Sequence, residues 1–166
     1  MLTGKKILLI ITGGIAAYKS LELIRKLKEQ HFKVIPVMTK AAENFVTPMS
    51  VSALAQEKVH NKLFDLTDEA EMGHIELSRS ADLIVVVPAS ADFIAKTATG
   101  QANDLASTLI LATDTNILMA PAMNVRMWEN PITQKNIKIL DESGIKFAGP
   151  NDCLLYTSPS PRDNSG

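Results

Sequence analysis

Short apolar runs alternate along the chain with longer segments in which apolar residues recur at helical spacing. The runs are KILLII (6–11), KVIPVM (33–38), DLIVVV (82–87) and NILMA (116–120), with KFAG (146–149) as a weaker fifth. A parallel sheet that is covered on both faces has strands of continuous apolar sequence, and helices connect those strands. The pattern therefore predicts a single α/β domain with a parallel sheet and helices on both faces.

The segments between the runs carry helix signals. After the first run, one helical face is apolar and comprises Ala17, Leu21, Ile24 and Leu27. Two short helices are expected between the second and third runs, separated near Pro48. Asp104 and Asn130 stand where helix caps are expected, Pro131 suits a first helical turn, and Gly144 suits a helix end.

Each of the four main runs ends in small or polar residues. These endings are TGG (12–14), TKAA (39–42), PASAD (88–92) and PAMN (121–124). Ligands of open parallel sheets bind beyond the carboxyl ends of the strands. We therefore expect the four endings to converge on one crevice.

The first ending, TGGIAA, has two interpretations. Its glycines either permit a tight strand-to-helix turn or bring bare backbone close to a phosphate or flavin. The third glycine of a dinucleotide fingerprint and the lysine of a P-loop are both missing. Thr39 stands where an acidic residue would hold an adenosine ribose, which favours a mononucleotide phosphate.

Three further residues are candidates for chemistry, and each has a structural alternative. Ser90 follows Pro88, which is expected to end the third strand, and it suits either ligand contact or a helix cap. His74 can transfer protons near neutral pH, although a lone histidine is more often structural or merely exposed. Asn124 can bind a carboxylate without a competing charge, or it can cap a loop.

Composition narrows the function classes. The formal net charge of −1 and the pI near 6.3 give no electrostatic reason to expect a nucleic acid or an anionic membrane as partner. The single cysteine, Cys153, permits no intramolecular disulfide or cysteine-rich zinc site, and no histidine pair has metal-ligand spacing. No stretch approaches the roughly 18 apolar residues of a membrane helix. These features favour a soluble, cytoplasmic protein without a metal.

Five stretches of the sequence, taken together, are specific enough to indicate a protein family. GGIAAYK, MGHIEL, PASAD, ANDL and PAMNVRMW occur in an order and spacing that resemble the phosphopantothenoylcysteine decarboxylase domain of bifunctional coenzyme A biosynthesis flavoproteins. The resemblance covers roughly residues 4–151 and extends to the wider family of homo-oligomeric flavin-containing cysteine decarboxylases. It implies a flavodoxin-like (Rossmann-type) sheet that binds FMN. It also implies a trimer, or a multiple of trimers, with the flavin near a subunit interface.

The resemblance also implies roles for individual residues. The positions that match the flavin surroundings of the family are Thr12, Gly13, Gly14, Thr39, Ser90, Ala91, Asp92, Phe93 and Ala122. His74 matches the active-site histidine, and Asn124 matches the residue that holds the substrate carboxylate. The implied reaction converts 4'-phosphopantothenoylcysteine to 4'-phosphopantetheine. FMN first oxidises the cysteine moiety to a thioaldehyde-like group, carbon dioxide then leaves as an enethiolate forms, and reduced flavin and a proton finally give 4'-phosphopantetheine.

The carboxyl terminus departs from the family pattern. Members continue after the GP stretch into a segment that closes over the substrate and carries a cysteine, and bifunctional members continue into a synthetase domain. We therefore assign residues 1–152 to the decarboxylase domain and expect 153–166 to be a disordered, non-native tail, so that catalysis is impaired. Cys153 lies too early to take the role of the family cysteine.

Two rival functions remain open at this point. One is a related flavoprotein that acts on a peptidyl-cysteine or a prenyl donor, although PAMNVRMW favours the coenzyme A branch over a prenyltransferase. The other is a flavin-binding subunit without turnover. Because His74 and Asn124 are both present, the sequence favours catalysis.

Overall fold

A parallel sheet forms the centre of the molecule. The computed structural model describes residues 4–63, 70–150 and 155–156, without the side chains of residues 70–72, 74–75 and 155–156. The strands are β1 (Lys6–Ile11), β2 (Lys33–Met38), β3 (Leu83–Ala89), β4 (Ile117–Pro121), β5 (Met123–Asn124), β6 (Lys146–Phe147) and β7 (Leu155–Tyr156). Five of them form one sheet in the order β2-β1-β3-β4-β6, and all of its pairings are parallel. This is the strand order of flavodoxin-like folds, so the predicted fold class is confirmed.

Helices connect the strands. They are α1 (Lys19–Glu29), α2 (Pro48–Ala55), α3 (Ala70–Ser80), α4 (Ala91–Ala98), α5 (Leu105–Ala112), α6 (Val125–Glu129) and α7 (Pro131–Glu142), with 3₁₀ turns at Ile15–Tyr18 and Ala41–Asn44. The predicted caps are present: Asp104 accepts from the Ser107 amide at 2.9 Å, and Asn130 accepts from the Ile132 amide at 2.8 Å. Pro48 begins α2, as a proline in the first turn should.

The two faces of the sheet bury two separate apolar clusters. Leu8 and Ile10 of β1 point to one side, where they pack with residues of α4, α5 and α7 such as Ile94, Leu109 and Leu140. The alternate residues of β1, Ile7, Leu9 and Ile11, lie in the cluster formed with α1 and α2. Side chains of a strand alternate between faces, so a strand that is apolar throughout must be covered on both.

Two local predictions differ from the structure. Pro88 was expected to end the third strand, but β3 continues to Ala89, with a register shift against β4 between Val86 and Ala89. A proline has no amide hydrogen for the ladder, and irregular pairing accommodates it. Within the segment expected to be disordered, Leu155–Tyr156 pairs in parallel with Met123–Asn124. The other residues of 153–166 lie outside the described part of the chain.

Among the described residues, no helix is both long and apolar enough to cross a membrane.

Helix α5 allows a direct test of the buried clusters. Leu109 is fully buried, whereas Leu111 on the same helix is 59% exposed. We expect Leu109→Ala to lower the free energy of unfolding by about 2–5 kcal/mol, because a cavity is left in the core. The matched variant Leu111→Ala should change it by less than about 0.5 kcal/mol. Urea denaturation followed by circular dichroism measures both, and equal losses would contradict the assignment of the core.

Candidate functional site

The strand order creates a crevice at one edge of the sheet. From β1 the chain moves outward to β2, and it later returns to form β3 on the other side of β1. Connections that leave neighbouring parallel strands in opposite directions leave the space beyond the strand ends uncovered. This switch point lies between the loop after β1 and the loop after β3. In flavodoxin-like folds this is the position at which ligands bind.

A cavity of about 400 Å³ lies at this switch point. It is lined by Thr12, Gly13, Thr39, Lys40, Ala41, Asn44, Ser90, Asp92, Phe93, Lys96 and Asp104. Its volume is within the range of small-molecule sites, about 300–1,000 Å³. Three of the four predicted strand endings, those after β1, β2 and β3, therefore converge as expected.

A larger cavity, of about 520 Å³, lies elsewhere. It is lined by residues near the carboxyl-terminal ends of α4, α5 and α7 and by Ile117 at the start of β4. That is the opposite edge of the sheet from the strand endings, and none of the predicted site residues lines it. We therefore place the functional site in the smaller cavity.

Thr12 connects the two loops that border the crevice. Its side chain is 1% exposed, and its hydroxyl donates to the Pro88 carbonyl while it accepts from the Ser90 amide at 2.9 Å. The spacing of the crevice walls is thus fixed by a buried side chain.

The two glycines of the first loop have different roles. A Cβ on Gly13 would lie 2.6 Å from the Cβ of Ala41, so this glycine allows the first loop to pack against the second. A Cβ on Gly14 would meet no atom within 4 Å. Gly13 is therefore required by the close approach of the two loops, whereas the space beside the Gly14 α-carbon is open.

The hydroxyl groups of Thr39, after β2, and Ser90, after β3, each bind a backbone amide three residues further along the chain. Thr39 is buried and accepts from the Ala42 amide at 3.2 Å. Ser90 caps α4 and accepts from the Phe93 amide at 3.1 Å. The helix-cap interpretation of Ser90 is therefore confirmed, and both Thr39 and Ser90 also line the cavity.

Three charged residues on the cavity wall, Lys40, Lys96 and Asp104, were not predicted as site residues. Lys96 lies on α4 one turn after Asp92, and the Lys96 ammonium is 3.6 Å from the Asp92 carboxylate. Asp104 was predicted only as the cap of α5, a role that it does have. Lys40 and Ala41 stand in the quoted TKAA segment, so their position was a usable signal. Asn44 and Lys96 carried no such signal.

Four predicted site residues whose side chains the structure describes do not line this cavity. Gly14 and Ala91 adjoin lining residues, and Ala122 is buried, with its amide donating to the Ala89 carbonyl at 3.1 Å. Asn124 follows β4 and caps α6, where its Oδ1 accepts from the Arg126 amide at 2.8 Å. His74 lies on α3, but its side chain is outside the described part of the structure.

Comparison with known proteins identifies the family of the chain. The family model described as Flavoprotein matches residues 1–163. The chain is 52% identical over 149 residues to the coenzyme A biosynthesis bifunctional protein CoaBC of Vibrio vulnificus (strain YJ016), covering 90% of this chain and 37% of the relative. It is 47% identical over 150 residues to CoaBC of Escherichia coli (strain K12), again covering 90% and 37%. The chain thus spans little more than a third of the length of these curated relatives.

Solved structures of similar proteins share the fold. The FMN binding protein AtHal3 is 30% identical with a TM-score of 0.76, covering 94% of this chain and 86% of that one. A PPC decarboxylase mutant complexed with pantothenoylaminoethenethiol is 29% identical with a TM-score of 0.76, covering 97% and 94%.

The adjacent glycines provide a matched pair of variants. We expect Gly13→Ala to lower the free energy of unfolding by about 1–3 kcal/mol, because the new methyl group would overlap Ala41 and displace one loop. Gly14→Ala places its methyl group in open space on extended backbone, with φ of 162°, and should cost far less. Chemical denaturation of the two variants tests this. A Gly13→Ala protein as stable as Gly14→Ala would mean that the two loops do not pack as described.

Proposed function

This chain belongs to the Flavoprotein family, and from that premise we propose that it binds FMN and decarboxylates 4'-phosphopantothenoylcysteine to 4'-phosphopantetheine. The observation that carries the proposal is the cavity at the β1/β3 switch point, formed by three of the strand endings that the resemblance assigns to the flavin. The sequence identity of 52% and 47% to two CoaBC proteins favours this substrate over a peptidyl-cysteine or a prenyl donor.

The residues around the cavity fit FMN. Gly14 leaves open space beside the backbone where the chain turns toward α1, and the hydroxyl of Ser90 lies on the cavity wall. The wall carries Lys40 and Lys96 together with Asp92 and Asp104, and because Lys96 is paired with Asp92 at 3.6 Å, Lys40 is the lysine that would meet a phosphate group. When bound, FMN supplies the oxidation of the cysteine moiety and later returns the electrons. The protein supplies position and proton transfer.

Asn124 has the geometry of an oriented amide. Its Oδ1 accepts from the Arg126 amide at 2.8 Å, which orients the side chain, and the resemblance implies that this residue holds the substrate carboxylate. We assign it this role because it follows β4 at the same edge of the sheet as the cavity. His74 on α3 is assigned proton transfer, since the pKa of an imidazole lies near neutrality.

Four exposed apolar side chains in the segments that follow β1 and β2 favour the trimer that we propose. Ile15 and Tyr18 follow the end of β1, and Phe45 and Met49 follow the end of the neighbouring strand β2. Their exposed fractions are 50%, 58%, 48% and 82%. Large apolar side chains exposed together mark interaction surfaces. A second copy seated on this surface would border the flavin.

FMN binding is tested by the absorbance spectrum of the protein. We expect the purified protein, or the apoprotein supplied with excess FMN and then gel-filtered, to show the flavin absorbance bands with about one FMN per chain. The control is riboflavin, which lacks the phosphate and should be retained less well. A folded protein that retains no FMN would refute the proposed function.

The decarboxylation is tested at His74. We expect His74→Asn to retain FMN but to lose carbon dioxide release from 4'-phosphopantothenoylcysteine by about 100-fold or more, the usual contribution of general acid-base catalysis. His31→Asn is the matched control, because His31 is exposed and lies at the other end of β1. Loss of flavin from the His74 variant would make the residue structural. Turnover of a peptide with a carboxyl-terminal cysteine instead of this substrate would favour the rival function.

A further inference from the structure

The backbone pairing between β1 and β3 stops before the crevice. The last paired residues of these strands are Ile10 and Val86, and the register of β3 is irregular between Val86 and Ala89. Beyond this point, the Thr12 hydroxyl joins the two strand ends by donating to the Pro88 carbonyl and accepting from the Ser90 amide. A single buried hydroxyl therefore continues the connection where the ladder has ended.

The hydrogen-bonding capacity of Thr12 argues against direct ligand contact. A hydroxyl has one hydrogen to donate, and that of Thr12 is given to the Pro88 carbonyl. Its oxygen also accepts from the Ser90 amide. Phosphate and flavin carbonyl oxygens are acceptors, so the Thr12 hydroxyl has no hydrogen left to donate to them.

The hydroxyl of Ser90, unlike that of Thr12, has a hydrogen available to donate. Its amide is bound by Thr12, and its hydroxyl oxygen accepts from the Phe93 amide. Among the described residues, no acceptor is present for the hydrogen of that hydroxyl, and Ser90 lines the cavity. Ser90 thus has a donor available on the cavity wall, and Thr12 fixes the backbone that carries it.

From this arrangement we infer that Thr12 is a positioning residue, which holds the loop after β3 at the distance that lets Ser90 donate to the flavin, and is not itself a flavin ligand. The inference rests on the proposed FMN site. It gives different roles to Thr12 and Ser90, although the resemblance places both among the residues that surround the flavin.

A double-mutant cycle on FMN affinity tests the inference. Thr12→Val keeps the shape of the side chain but removes both hydrogen bonds, and it should raise the FMN dissociation constant about 10-fold or more. Thr12→Ser keeps the hydroxyl and should remain within about 3-fold of the wild-type value. Ser90→Ala should weaken binding to a similar extent as Thr12→Val. Because Thr12 acts through Ser90, the double variant should bind about as well as the weaker single variant.

Two controls distinguish a specific effect of Thr12 on FMN affinity from a general loss of stability. Thr97→Val also removes a hydroxyl hydrogen bond of α4, from the Thr97 hydroxyl to the Phe93 carbonyl at 2.8 Å, and it should leave FMN affinity within about 3-fold. Should Thr12→Val not fold, hydrogen exchange of the wild-type apoprotein provides the second test, since the Ser90 amide should be protected from exchange.

Three outcomes would overturn the inference. These are additive losses in the double variant, a Thr12→Ser protein as weak as Thr12→Val, and rapid exchange of the Ser90 amide. Failure of the wild-type protein to bind FMN is a different result, because it refutes the proposed function while leaving the bond between Thr12 and Ser90 measurable by exchange.

Discussion

The central constraint of this structure is the position of β1 between β2 and β3. The chain leaves β1 toward one neighbour and returns on the other side, so the loops after β1 and β3 diverge from a common edge. Neither connection can cover the space between them, and any group that binds there meets backbone from both. The burial of β1 on both faces makes the position of this edge rigid, since all of Leu8, Leu9, Ile10 and Ile11 are fully buried.

Much of the fold could be predicted from the sequence because the strong signals are local. The first two apolar runs coincide with β1 and β2, and the caps at Asp104 and Asn130 form within three residues of their partners. Such contacts depend on neighbours in the chain. The continuation of β3 through Pro88 depends instead on how irregularly it pairs with β4, which no local pattern contains.

The site was partly predictable for the same reason. Residues that directly follow a strand, such as Thr12, Thr39 and Ser90, reach the crevice because parallel strands end at one edge. Lys96 reaches it from the second turn of α4, and the direction of that helix is a tertiary property. The prediction that Ala122 lies at the flavin stays a prediction, since in this structure its backbone is bound to Ala89 and it does not line the cavity.

The close approach of the first and second loops links two distant positions of the sequence. The space beside Gly13 is filled by the methyl group of Ala41 and by the Ala41 carbonyl, whose carbon would lie 3.0 Å from a Cβ at position 13. A homologue that carries a side chain at position 13 must therefore widen the gap between the loops, because losing the side chain at position 41 leaves that carbonyl in place. The backbone path of the second loop, and not only the size of the side chain at position 41, requires the glycine.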